Sequence, residues 1–381
     1  MTRSTKKKIE VLMPPAVGYS LRILFSFPFT YTISIRYIPR MIVLGLINLI
    51  NFPFRIYEQL FINPRYSGRP VAEPPVFIIG HWRSGTTHLH NLLSMDPQMG
   101  YVTTYQGVFP DTIFNKAGKF LFKNFTRLLI PRTRKGDNVI LDTDYPQEEE
   151  FALGDKVPVC FYYFWLFPRR IEALYKKAIQ FEKISNGQKI RWISNYKLLV
   201  NKALRNSNGK IFLSKNPPNT GRITAILEMF PEAKFIFIHR NPVEVFLSTR
   251  HFFNTMMPNL QLHSIDQGEL DEQILQTYKK LINDYHVQKQ NIPEGNLTEI
   301  RFEDLEQNPL KIANKIYREL QIPGFSSALP YFEKYIEETS HYKKNKHKIS
   351  ESLLDKVLKE WSFMMNKYNY KIPETIEVTH E

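Results

Sequence analysis

The stretch "VFIIGHWRSGTTHLHNLL", residues 76–93, sets an apolar run, a glycine-bounded loop and a helical pattern end to end. Val76, Phe77, Ile78 and Ile79 read as a buried strand, and Leu89, Leu92 and Leu93 mark the core side of a helix opened by Thr86. Gly80 and Gly85 permit a tight backbone that turns successive N–H groups toward an anion, and the dipole of the following helix adds to them. This is the physics of a phosphate loop. A Walker A loop, however, would follow Gly85 with a lysine for the β and γ phosphates and a hydroxyl for magnesium. Here Thr86 and Thr87 follow, and the nearest cation, Arg83, stands before the second glycine.

Working outward, short β-rich runs at 76–79, 210–215, 234–239 and 297–302 alternate with helical patterns. That alternation predicts an α/β fold, a P-loop-like central parallel sheet flanked by helices. Ile223, Ile226, Leu227 and Phe230 have the spacing of a one-faced helix, and Leu354, Val357, Leu358 and Trp361 repeat it behind Ser350 as cap. The run "KFIFIHRN" (234–241) ends in His239 and Arg240, where a magnesium-dependent phosphotransferase would carry an acid. Asn241 caps the next helix, Pro242 fits its first position, and Glu244 completes a capping-box pattern. Arg240 therefore emerges at a strand's carboxyl end, where open sheets bind ligands, with Ser248 two turns into the helix behind it. Lys215 ends the strand of "FLSKNPPN" (212–219) at the same edge.

Taken together, "RSGTT" (83–87), "SKNPP" (214–218) and "RNPVEVFLS" (240–248) resemble the sulfotransferases that use 3'-phosphoadenosine 5'-phosphosulfate. The likeness runs from about Pro74 to about Tyr370 and takes in "FEDL" (302–305). With "PQEEEFAL" (146–153), the pattern is more similar to the broad bacterial branch and to tyrosylprotein sulfotransferases than to animal cytosolic enzymes. Those typically carry lysine at the Arg83 position, a catalytic histidine and a glycine-rich carboxyl-terminal motif. The resemblance implies that Ser84, Gly85, Thr86 and Thr87, with Gly80 and Arg83, hold the 5'-phosphosulfate, and that Arg240 and Ser248 hold the 3'-phosphate. Arg83 and Lys215 would offset charge on the bridging oxygen and sulfuryl group, and no metal is expected. Glu149 is the favoured base for the acceptor hydroxyl and Glu148 the next; His81, His88, His90 and Asp111 compete with them. A basic loop, "HYKKNKHK" (341–348), is either a cover for the 3'-phosphate or a solvated charge run.

Composition agrees with an anionic ligand. Lys and Arg total 51 against 37 Asp and Glu, a net charge of +14. The basic residues are spread along the chain and not interleaved with aromatics, which argues against nucleic acid as partner. One cysteine, Cys160, excludes an intramolecular disulfide, so a reducing, cytoplasmic setting is expected, with the inner face of a membrane as a peripheral contact.

Residues 1–70 read as an amphipathic helical region separate from a catalytic domain at 71–381, joined through "NPRYSGRPVAEPP" (63–75). Lys6, Lys7 and Lys8 precede apolar, aromatic runs broken by Pro28, Arg36, Arg40, Asn48, Asn51 and Pro53. A spanning helix wants about 20 apolar residues, and these uninterrupted runs are shorter. Helices lying in the membrane interface and a helical layer packed on the main domain fit the pattern equally. "CFYYFWLF" (160–167) is either an aromatic acceptor pocket or a core segment. A lipophilic hydroxyl acceptor, a sterol or lipid alcohol, is the expectation; a carbohydrate hydroxyl is the alternative. From another class, the rival is a metal-dependent P-loop kinase.

Overall fold

The computed structural model describes residues 15–129, 142–339 and 348–379. Five parallel strands form the central sheet: β1 (Val76–Ile79), β2 (Met99–Gly100), β3 (Ile211–Lys215), β4 (Lys234–His239) and β5 (Leu297–Arg301). Their order is β2-β3-β1-β4-β5. The four longer strands, β1, β3, β4 and β5, lie where the sequence puts them, to within a residue. β2 is too short for any periodicity to show and pairs only through Met99 and Gly100 with Ile211 and Phe212.

Alternating side chains divide the core in two. Phe77, Ile79, Phe212, Phe235 and Phe237 face a large aromatic cluster; Val76, Ile78, Leu213, Ile236 and Ile238 face a smaller one that receives Leu89, Leu92 and Leu93. Burial on both faces is what makes these strands read as continuous apolar runs.

The chain leaves β1 toward β2 on one side of the sheet and leaves β4 toward β5 on the other. The crevice beyond the carboxyl ends of β1 and β4 is therefore the topological switch point, where open sheets take their ligands. The loop after β1 and the turn after β4 both border it. Register places Ile78 beside Lys215 and Ile79 beside Phe237, so Gly80, Lys215 and Arg240 leave the sheet at neighbouring points.

Before the sheet come helix α1 (Leu21–Thr30) and helix α2 (Ile38–Phe61). Pro28 and Pro53 sit inside these helices, on exposed turns. Leu49, whose carbonyl loses its N–H partner to Pro53, is itself exposed to solvent, so the run at 41–54 continues unbroken within a 24-residue α2, while the run at 23–35 gives the separate α1. Among the described residues this is the one helix region, from Ile35 to Arg65, long and apolar enough to cross a membrane. Ala16, Val17, Tyr19, Ile23, Leu24 and Phe27 belong to the same aromatic core as the sheet. Phe27 meets the rings of Tyr163 and Phe167 at 5.2 Å each. Lys6 to Lys8 and most of the basic loop at 341–348 lie outside the described residues.

Candidate active site

The loop after β1 turns through three positive-φ residues: Gly80 at 146°, Arg83 at 66° and Gly85 at 92°. A Cβ on Gly80 would stand 2.4 Å from the Ile238 carbonyl oxygen, and one on Gly85 2.1 Å from the Phe302 ring, so both glycines are needed for packing as well as for conformation. Thr220 Oγ1 accepts from Gly80 N at 2.7 Å and donates to Gly80 O at 3.1 Å. Helix α3 (Thr86–Leu93) starts directly after Gly85. Its first-turn N–H groups have no acceptor within the helix and point back into the crevice.

Arg83 and Arg240 converge beside this loop. Arg83 Nε donates to Ser248 Oγ at 2.9 Å, and its guanidinium lies 5.0 Å over Phe252. Arg240 Nε pairs with Glu244 Oε2 at 2.8 Å, its NH1 donates to the Arg83 carbonyl at 3.3 Å, and Phe302 lies beneath it at 4.6 Å. Asn241 does cap its helix, accepting from Val243 N at 3.0 Å. The capping box does not close: Glu244 turns to Arg240, a charged partner, while Asn241 N donates to Glu303 Oε1 at 3.1 Å.

Three consecutive glutamates meet three fates. Glu148, with its side chain 11% exposed, pairs with the Lys215 ammonium and accepts from the Tyr162 hydroxyl. Tyr162 in turn accepts from Trp82 Nε1 at 2.9 Å, which ties this group to the loop after β1. Glu149 is 1% exposed, and its Oε2 has no hydrogen-bond partner among the described residues. Burial pushes its carboxyl up to about 8, against the pull of the Ser214 hydroxyl and Lys215. Glu150 is wholly structural: Arg222 NH1 and NH2 grip it at 2.6 and 2.9 Å, Asn216 Nδ2 reaches it at 3.1 Å and Phe161 N at 2.6 Å.

The Glu149 shift makes a pH prediction. Between about pH 4.5 and 8 the native carboxyl holds a proton that the unfolded chain has released. This contribution to stability is complete below the unfolded value and is lost as pH rises through about 8. Glu149→Gln, always neutral, is expected to flatten the fall in urea-unfolding free energy between about pH 5 and 8.5 relative to wild type; equal slopes would mean that native Glu149 is already ionised.

The competing bases have other surroundings. His81 is buried against Tyr278 and Trp361, and burial drives its ring down to about 3. His90 is buried and likewise held well below the usual histidine range, by burial first and by Lys215 second; His88 turns toward Tyr335. Asp111 belongs to a buried ion network with Lys156 at 2.6 Å, Lys202 at 3.4 Å and Arg55 at 3.5 Å. His239, at the strand end, stacks on Tyr368 at 3.7 Å and meets the Tyr370 hydroxyl at 2.8 Å. Among the described residues no group of three or more His, Cys, Asp or Glu side chains is arranged to hold a metal ion.

The aromatic run at 160–167 is buried throughout, as a core segment is, yet Tyr162 reaches the site from it. Phe161 and Phe164 also line a small apolar pocket with His81, Trp82, Thr249 and Phe253. Sequence reasoning did not single out Tyr162, Thr220 or Phe302, whose roles rest on contacts between distant segments.

Known proteins share this sequence pattern and fold. Two curated relatives, each an omega-hydroxy-beta-dihydromenaquinone-9 sulfotransferase, from Mycobacterium bovis and Mycobacterium tuberculosis, are 27% identical over 327 residues, covering 85% of this chain and 82% of theirs. The fold is shared with sulfotransferase STF1 of M. tuberculosis (TM-score 0.64, 14% identity, 90% of each chain) and STF9 of Mycobacterium avium (TM-score 0.62, 16% identity, 84% of this chain and 82% of that one). Residues 74–327 match the model of the sulfotransferase family, a span that holds both glycines of the loop, Lys215 and Arg240, and the chain accordingly belongs to that family.

Proposed function

We propose that the chain transfers a sulfuryl group from 3'-phosphoadenosine 5'-phosphosulfate to the hydroxyl of a lipophilic acceptor. The observation that carries this reading is the pairing, at one sheet edge, of a Lys215–Glu148 couple with an Arg83–Ser248–Arg240 cluster beside the amino terminus of α3. Two separated cationic groups suit a donor with phosphates at both ends. Ser84 to Thr87, with the α3 amides, would hold the 5'-phosphate, and Arg240 with Ser248 the 3'-phosphate. Arg83, bonded to Ser248, would span the two.

In the transfer, the acceptor oxygen attacks sulfur in line as the bond from sulfur to the bridging phosphate oxygen breaks, and the bisphosphate leaves. Lys215 has three N–H donors, enough to hold Glu148 and a sulfuryl or bridging oxygen together. Its charge grows in value as negative charge develops on the leaving oxygen. The acceptor proton goes to a carboxylate. Glu149 is held neutral by burial, so Glu148, at the Lys215 ammonium and nearer solvent, is the better assignment.

The acceptor class is supported by the aromatic surroundings, Tyr162 at Glu148 with Trp82 behind it, and by the omega-hydroxy-beta-dihydromenaquinone-9 for which the mycobacterial relatives are named. Sterols and other lipid alcohols fall in the same class, met at the inner face of a membrane.

Thermal unfolding with 3'-phosphoadenosine 5'-phosphate in excess EDTA tests the donor. A native-state ligand at 100 times Kd stabilises by about 2.7 kcal/mol. A saturable shift with the bisphosphate and none with magnesium-ATP is expected; the reverse result would favour a kinase and remove this proposal.

A further inference from the structure

Helix α2 is built inside out. Its polar residues face the protein: Asn48, Asn51, Arg55 and Glu58 are all under 7% exposed. Asn48 Nδ2 donates to Ala16 O at 3.2 Å, Arg55 NH1 reaches Asp155 at 2.5 Å, and Glu58 Oε1 pairs with Lys202 at 2.7 Å. The opposite face carries Ile42, Leu46, Leu49, Tyr57 and Leu60, each 47% exposed or more, at three- and four-residue steps and, around Pro53, eight. Arg40, Arg55 and Glu58 are the only charged residues in the helix, and none is on that face. Phe25 and Phe29 extend the surface along α1, and Phe120 adds to it from the neighbouring helix Lys116–Leu129. A soluble surface does not gather apolar side chains in a continuous stripe of this length.

The charges around it choose the occupant. From residue 15 to 72 the chain holds Arg22, Arg36, Arg40, Arg55, Arg65 and Arg69 against a single acid, the buried Glu58. Arg36 is exposed just before one end of the stripe and Arg65 just beyond the other, and Arg22 is exposed on α1. A second copy docked here would bring arginine against arginine. Anionic headgroups bordering an acyl layer complement both the apolar stripe and its basic ends.

We infer that α1 and α2 dock this chain in the plane of an anionic lipid bilayer, with the outward face of α2 immersed in the headgroup–acyl boundary. The helix does not span. Crossing would strip Arg55 from Asp155 and Glu58 from Lys202 and leave four polar side chains in hydrocarbon. The same ties connect the bilayer to the site. Asp155, held by Arg55, lies near the end of the eight-residue helix Glu149–Lys156, about 12 Å long, which begins beside Glu148. An acceptor leaving the bilayer next to α2 has one helix length to travel.

This inference rests on the exposed face and not on the donor assignment, so its test needs no turnover. The full chain is sedimented with phosphatidylcholine vesicles with and without 30% phosphatidylglycerol, beside the triple variant Leu46→Glu, Leu49→Glu, Ile50→Glu. These side chains touch solvent, so circular dichroism and thermal unfolding should match wild type. Should that variant misfold, Ile42→Glu with Leu60→Glu replaces it. Expected is strong co-sedimentation with the anionic vesicles, at least tenfold weaker for the folded variant and weaker in high salt. Equal sedimentation of wild type and variant, no sedimentation with either vesicle, or a dimer that the variant abolishes would each overturn the inference. A bisphosphate shift present without vesicle binding would leave the donor reading standing and remove only this one.

Discussion

Lys215→Met is expected to lower kcat by about 10²- to 10³-fold, the range for removing one preorganised donor to transition-state charge. Ground-state binding of the bisphosphate should change far less, because α3, Arg240 and Ser248 remain. Lys215 is 2% exposed and pairs with Glu148, so the single substitution also leaves a carboxylate short of its partner. Tyr162 still donates to that carboxylate. Breaking a buried pair costs about 3–5 kcal/mol at most. The double variant Lys215→Met with Glu148→Gln removes that cost, and comparing it with Glu148→Gln alone isolates the catalytic loss due to Lys215. Single-turnover rates at fixed fold, judged by circular dichroism, are the measurement. If Lys215→Met keeps more than about a tenth of wild-type turnover, Lys215 does not serve the leaving group. Glu148→Gln alone should lower kcat, and it should cost less stability than Lys215→Met because the amide oxygen can still accept from the Lys215 ammonium.

Arg222→Met is expected to destabilise the protein by about 3–5 kcal/mol, the largest stability effect available near the site. Arg222 and Glu150 are both fully buried, and the guanidinium also donates to the Ala178 carbonyl at 2.8 Å and lies 5.2 Å over Trp192. Removing it strands a carboxylate in the core. Glu150→Leu combined with Arg222→Met should recover much of the loss, because a buried ion pair is often replaceable by apolar residues of similar size. Urea unfolding of the two variants is the check, and a loss below about 1 kcal/mol for Arg222→Met would show that the pair contributes little. Whatever fraction folds at low temperature should turn over at close to the wild-type rate, since neither residue faces the crevice. That contrast distinguishes Glu150 from Glu148, two residues away.

Much of this was legible before any coordinates. The strand at 76–79 and the helix opened by Thr86 are local patterns: four apolar residues, two glycines at the turn, then a helical stripe. The Gly85 conformation and the Asn241 cap follow from residue type within a few positions. Arg240 and Lys215 could be placed at the sheet's edge because each ends a strand. β2 is not legible, as two residues carry no periodicity, and the continuity of α2 is hidden because the solvent exposure of Pro53 is a property of the fold.

The order of the three glutamates could not be read locally. Nothing in "QEEE" distinguishes a residue gripped by Arg222, one buried beside Ser214, and one paired with Lys215, because those partners come from segments 65 to 72 positions away. The same holds for α2. Its sequence shows an amphipathic helix, and amphipathicity has no sign until the polar side is found against Asp155 and Lys202. Sequence by itself determined the α/β class, the anion loop and the cationic strand ends, since these depend on backbone conformation and local spacing. Tertiary structure alone decided which carboxylate meets the lysine and which face of α2 meets water, since burial and charge pairing are set by contacts between distant segments.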